Sequence, residues 1–220
     1  MDYWTEDRKT GRSEGQTEIT SVQVVTNTDF SAKVDINISY HPPGEKEILA
    51  EKRSLSITTP DKNGCYRIDW TSTFTAKDED VKLDRTPIVG EPHGQGYGGY
   101  AGLSVRMAVC ARKWKFMDRT GIVKGDMRKD KDAVWLATVG KTPEGKDAGI
   151  AVLDHPSNMR HPTPWYITPS MPYFSPAVLY EKPHVLEKGK SFTLKYRVLV
   201  SSQEMDKDML EKEWLDFSSR

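Results

Sequence analysis

An all-β fold is predicted for this chain, a large antiparallel sandwich closed by one C-terminal helix, and three observations predict it. Period-two alternation of apolar and polar residues runs through three long segments. Clusters of turn-forming residues punctuate the chain at short intervals, and helical spacing of apolar residues occurs once, near the end. The first strand is placed at Ile19 to Val25. Phe30, Ala32, Val34, Ile36, Ile38 and Tyr40 then alternate with Ser31, Lys33, Asp35, Asn37 and Ser39, which describes a strand with one face on a core and one in water. The turn His41-Pro42-Pro43-Gly44 leads to a strand at Ile48 to Ile57. After Asp61-Lys62-Asn63-Gly64, the residues Tyr66, Ile68, Trp70, Ser72 and Phe74 repeat the alternation.

Shorter candidates follow at Val81 to Leu83, Leu103 to Val109, Val134 to Val139, Gly149 to Leu153, Trp165 to Ile167 and Ala177 to Leu179. Thr142-Pro143-Glu144-Gly145 and Glu187-Lys188-Gly189-Lys190 supply further turns, and Phe192, Leu194, Tyr196, Val198 and Val200 form the last strand. About eleven strands with short polar connections fit a sandwich. The charged stretch Met117 to Asp132 reads as a solvated loop. Ser201 with Glu204 three residues on matches a capping box, and Leu210, Trp214 and Phe217 make the apolar stripe of the closing helix, which should pack on a sheet.

The 220 residues suit one domain spanning 1–220 with a single large core. Lys plus Arg and Asp plus Glu each total 32, so no global field recruits nucleic acid or an acidic membrane. Cys65 and Cys110 have no metal or redox spacing, and two thiols build no disulfide framework for a chain this long. Met1 to Gly15 is charged and lacks the apolar core of a signal peptide. No run approaches the roughly 20 apolar residues of a membrane span. The sequence therefore reads as that of a soluble chain, with compartment and oligomeric state left open.

Chemistry concentrates in Asp154-His155-Pro156-Ser157-Asn158-Met159-Arg160-His161-Pro162-Thr163-Pro164-Trp165. Three prolines restrict this run and the residues before them, so it forms a stiff irregular loop, the kind of segment that carries binding groups. His155 and His161 are the candidate catalytic residues, because imidazoles exchange protons near neutral pH. Asp154 either joins them or caps the turn. Asn158 and Trp165 are candidate substrate-binding residues: an amide both donates to and accepts from hydroxyls, and an indole covers the apolar face of a pyranose, with core packing the rival reading and the favoured one for Trp165. Arg106, in an apolar strand pattern, needs a carboxylate or a ligand oxygen. His93 and Tyr97, in the glycine-rich stretch Glu91 to Tyr100, complete the substrate-binding set, with that stretch read either as a mobile lip over a pocket or as a flexible connector.

No zincin, Cys-x-x-Cys, Gly-x-Ser-x-Gly or Walker pattern occurs, so no cofactor is named and no metal is expected. Asp154, His155 and His161 would chelate together only if the loop turned at Asp154, since neighbours on a strand point to opposite sides.

The segments Gly98-Gly99-Tyr100-Ala101-Gly102-Leu103-Ser104-Val105-Arg106, Ala148 to Asn158, Pro164-Trp165-Tyr166 and Leu186-Glu187-Lys188-Gly189, followed by Leu194-Lys195-Tyr196-Arg197-Val198, resemble a bacterial family catalogued as PmoA-like or "methane oxygenase PmoA". The resemblance covers most of the chain. It implies a β-supersandwich similar to galactose mutarotase, and hence a carbohydrate context. The oxygenase label belongs to an integral membrane subunit, and no span is present here. Relatives carry a His-His-Arg-Gly-like segment upstream, whereas this chain starts Met1-Asp2-Tyr3-Trp4, so the resemblance also implies an N-terminally shortened form. Two functions are expected: a sugar-modifying enzyme with His155 and His161 as acid and base on a small-molecule carbohydrate, or a non-catalytic carbohydrate-binding module.

Overall fold

The computed structural model of the chain describes residues 3, 9–11, 13–108, 114–124, 127–128 and 133–220. Within them the expected all-β architecture is present: large antiparallel sheets and one C-terminal helix, with no barrel. The strands are β1 (Gln16–Thr26), β2 (Ala32–His41), β3 (Leu49–Ile57), β4 (Tyr66–Ala76), β5 (Val81–Leu83), β6 (Val105–Arg106), β7 (Lys115–Asp118) and β8 (Gly121–Ile122). They continue as β9 (Met127–Arg128), β10 (Trp135–Lys141), β11 (Asp147–Asp154), β12 (Trp165–Thr168), β13 (Tyr173–Pro176), β14 (His184–Leu186) and β15 (Ser191–Ser201), and α1 (Lys207–Ser218) follows.

Nine strands form one sheet in the order β1-β2-β3-β4-β15-β11-β10-β7-β8. The last strand is thus the keystone, joining the N-terminal meander to the later strands. The smaller sheets β6-β13-β12-β9 and β14-β5 lie on one face of the large sheet. Alternation explains the layering. Leu194, Tyr196 and Val198 of β15, with Leu136 and Val152, meet Trp165, Ile167 and Phe174 of the four-stranded sheet in the main core. The other face of the same strands presents Trp135, Ala137, Ala151, Leu153 and Leu199 to Leu210 and Phe217 of α1.

Several sequence expectations shift. Phe30 precedes β2 in a turn at φ 66°, and the strand begins at Ala32. Ala177 to Leu179 is not a strand; the strand is Tyr173–Pro176, and Ala177 follows it in a turn closed by the Tyr180 amide on the Ala177 carbonyl. Only Val105–Arg106 of Leu103 to Val109 pairs, and Val109 and Cys110 lie outside the described residues. The Met117 to Asp132 stretch contains β8 and β9, while 125–126 and 129–132 lie outside the described residues. The helix starts later than the capping-box reading: Asp206 is its N-cap, accepting from the Met209 amide at 2.8 Å. Ser201 instead ends β15 and accepts from the Gln203 amide, which closes the turn between strand and helix.

The helix is fixed in place by Arg197. This guanidinium is 1% exposed, and Nε and Nη2 donate to Asp69 at 2.6 and 3.0 Å while Nη1 donates to Asp216 at 2.7 Å. Glu213 lies at 3.3 Å, and the Phe217 ring centroid at 5.0 Å. Asp69 belongs to β4 and Asp216 to α1, so one buried cation ties helix to sheet. Hydrogen bonds from Arg197 and then Arg220 hold the Asp216 carboxyl down to about 2.

Replacing Arg197 by methionine keeps the volume and removes the charge. The expected loss is about 3 kcal/mol in chemical denaturation, the low end for a broken buried pair because both carboxylates reach solvent. A carboxyl with a depressed folded pKa stabilises above its ordinary range and loses that contribution as pH falls through it. Tryptophan fluorescence of the wild type should therefore report loosening of the helix between about pH 4 and pH 2, and the transition should flatten in Arg197→Met.

Candidate functional site

Asp154 closes β11, and beyond it the proline-restricted run turns back on itself. The Asp154 carboxylate is fully buried and serves as the hub of the turn. Its Oδ1 accepts from Asn158 Nδ2 at 2.7 Å, and its Oδ2 accepts from His161 Nδ1 at 2.8 Å. The Thr163 amide and hydroxyl approach Oδ2 at 3.3 and 3.4 Å. Asn158 also clamps β15, donating to the Lys195 carbonyl at 2.7 Å and accepting from its amide at 2.6 Å. Arg160, at φ 63°, is held in that left-handed conformation by donating to the Val178 and Pro183 carbonyls at 3.0 and 2.9 Å.

The two histidines occupy different environments. His161 donates through Nδ1 to Asp154, its side chain is 13% exposed, and its ring stacks on Trp214 with centroids 6.4 Å apart. Its Nε2 makes no hydrogen bond and is not among the buried ring nitrogens. One lone pair is thus presented outward on a ring whose opposite nitrogen is fixed by a carboxylate. His155 is reversed: Nδ1 accepts from the Ser157 amide at 3.0 Å and contacts its hydroxyl at 2.7 Å, while Nε2 is buried without a partner. Its ring sits edge-on to Phe217 at 5.0 Å. Burial, and then the charge of Lys195, push the His155 pKa below the ordinary value.

Trp214 and Phe217, one turn apart on α1, therefore hold one histidine each, and Trp214 Nε1 donates to the Asp154 carbonyl at 3.0 Å. The aromatic stripe was legible as a sheet-packing face; that it receives the loop was not, because nothing in the sequence pairs the two. Arg119 stands 5.5 Å from the Trp214 ring and is bridged to Glu211 at 2.7 Å. Deeper in, Tyr196 pairs across the ladder with Asp154, and burial together with that charge raises its phenol well above the usual range. Among the described residues no three His, Cys, Asp or Glu side chains gather into a metal-binding group. The chemistry on offer is exchange of one proton at His161 Nε2.

The other sequence candidates lie elsewhere or are otherwise engaged. The Trp165 indole is fully buried in the main core and donates to the Ala133 carbonyl at 2.6 Å, so it presents no ring face to a sugar. Both ends of the Asn158 amide are used within the fold. Arg106 is exposed on the two-residue β6 opposite Tyr173, not buried in an apolar strand. His93 is exposed at φ 59°, and Tyr97 is half exposed with its carbonyl accepting from Tyr166 at 2.9 Å. Their stretch is anchored: Arg85 and Glu91 pair bidentately at 2.7 Å, and a Cβ on Gly98 would lie 1.9 Å from the Pro87 carbonyl oxygen. Gly94 and Gly98 there serve close backbone approach, whereas Gly96 has open space where a Cβ would lie.

A model of a family of unknown function, DUF6807, matches residues 1–215. The chain belongs to that family. No curated protein matches it. Family membership agrees with an unassigned function and does not extend to the PmoA-like or mutarotase-like resemblance. Nor does any helix among the described residues have the length and apolarity to cross a membrane.

His155 supplies a pH signature. A buried imidazole whose folded pKa lies below the unfolded one is stabilising in its neutral form; stability is complete above about pH 6.5 and declines as pH falls toward the folded value. His184 is depressed by burial in the same direction. Denaturation midpoints of the wild type should fall as pH drops below about 6.5, and His155→Gln should remove part of that slope.

Proposed function

We propose that this chain acts on a carbohydrate, with His161 as the group that removes and returns a hydroxyl proton and Asp154 as the residue that orients it. The observation that carries the reading is the buried Asp154 carboxylate bonded to His161 Nδ1, with Nε2 left outward. A carboxylate in that position fixes ring orientation and tautomer, which leaves Nε2 as the atom that meets a substrate proton. The resemblance to PmoA-like and galactose-mutarotase-like proteins supports the substrate class, since mutarotation and epimerisation both require proton exchange at sugar oxygens or carbons. His155, with its ring nitrogens turned inward, takes a positioning role against Phe217 in place of the second acid-base role.

A non-catalytic binding module is the second reading, and one feature favours it. The face of the β1–β4 meander beside α1 carries an open groove of about 350 Å³ lined by Ser21, Gln23, Asn37, Lys52, Thr71 and Thr73, side chains that hydrogen-bond sugar hydroxyls.

A thermal-shift screen of monosaccharides, glycosides and sugar acids, followed by NMR turnover on the best ligand, separates the two. On the catalytic reading, His161→Ala lowers the rate by about 10²- to 10⁴-fold and Asp154→Asn also lowers it, while Asn37→Ala leaves it intact. Binding without chemical change, abolished by Asn37→Ala and untouched by His161→Ala, assigns the module role instead.

A further inference from the structure

The edges of the sheets are treated very unequally. On the large sheet one edge is β8, only two residues long, and the edges of the four-stranded sheet, β6 and β9, are two residues each. Short edges of this kind offer little template for another strand. The opposite edge of the large sheet is β1, eleven residues long and exposed along its whole length. Beyond its pairing with β2, its outer backbone groups have no strand beside them among the described residues.

The composition of β1 lacks the usual protection. Gln16–Thr26 contains no proline, lysine or arginine, and its one charge is Glu18. A bulge between Ile19 and Ser21 interrupts the register, after which Val22 to Thr26 pair regularly with β2. Ile19, Val22 and Val24 stand opposite Ile38, Ile36 and Val34, so they share the apolar face of the sheet, yet they are 60%, 51% and 57% exposed. From Ser21 to Thr26 the edge is uncharged, regular and apolar on one face, and such an edge is a template for strand addition.

We propose that β1 is a self-association edge, where a second copy of the chain adds its own β1 antiparallel and continues the large sheet through a two-fold axis. The occupant follows from the strand itself. A two-fold perpendicular to the sheet keeps both apolar faces on the same side, so the Val22 and Val24 row runs on into that of the partner. With no charge in the segment 19–26, antiparallel self-pairing there sets no like charges opposite one another, and Glu18 is carried toward the ends. Every copy also brings the matching edge at the same concentration.

Sedimentation velocity of the whole chain from 1 to 100 μM tests this, beside Val24→Lys and the control Val185→Lys. Val185 is an equally exposed valine on β14, at 55%. The wild type and Val185→Lys are expected to dimerise, and Val24→Lys to weaken the dimer at least tenfold. Far-UV circular dichroism should be unchanged in Val24→Lys, since the side chain is already exposed. A wild type that stays monomeric at 100 μM overturns the proposal, as does a dimer that survives Val24→Lys or is lost in Val185→Lys.

Discussion

Arg197 is buried on the central strand of the nine-stranded sheet, and a guanidinium there is tolerable only while its charge is matched. One match is local: Asp69 stands directly across the β15–β4 ladder. The second, Asp216, comes from the helix, so satisfying the cation dictates where α1 lies along the sheet. Apolar burial of Leu210 and Phe217 supplies adhesion without direction, whereas the three-carboxylate surround of Arg197 supplies position. Trp214 and Phe217 are consequences of that placement, because the turn of helix that carries Asp216 also carries them.

The loop after β11 has its own buried carboxylate, Asp154, and solves the same problem with converging hydrogen-bond donors. Asn158, His161 and Thr163 converge on one carboxylate, and Asn158 joins the assembly to β15 two residues before Arg197. The two buried ionic centres therefore share a strand. The loop is positioned from the strand side by Asn158 and from the helix side by Trp214 and Phe217, and an imidazole so held has little rotational freedom.

Much of the fold was legible in the chain, because strands with one buried face must alternate. The β2, β4 and β15 segments announced themselves in this way, and the Leu210, Trp214 and Phe217 spacing announced the helix. What alternation does not encode is whether a face will be covered: β1 alternates as its neighbours do, yet Val22 and Val24 stay more than half exposed. Nor does it place short strands with mixed surroundings, which is why Tyr173–Pro176 was displaced to Ala177 to Leu179. The helix start was misread because Ser201 and Asp206 are both caps in principle, and the continuation of β15 to Ser201 decides between them. For the candidate site, composition pointed to the loop in which Asp154 gathers Asn158 and His161. It did not separate a histidine facing out from one facing in, or a tryptophan that completes the core from one that waits for a ligand, since those depend on partners distant in sequence.

The central claim is that one carboxylate and one helix hold the two histidines in opposite orientations, and their tautomers report it directly. Long-range proton–nitrogen correlation NMR near pH 8 on the wild type should show His161 protonated at Nδ1 and His155 protonated at Nε2, with Asp154→Asn perturbing the His161 pattern alone. If both rings show the same tautomer, or if His161 retains its pattern unchanged in Asp154→Asn, the carboxylate does not orient that imidazole and the site fails as described.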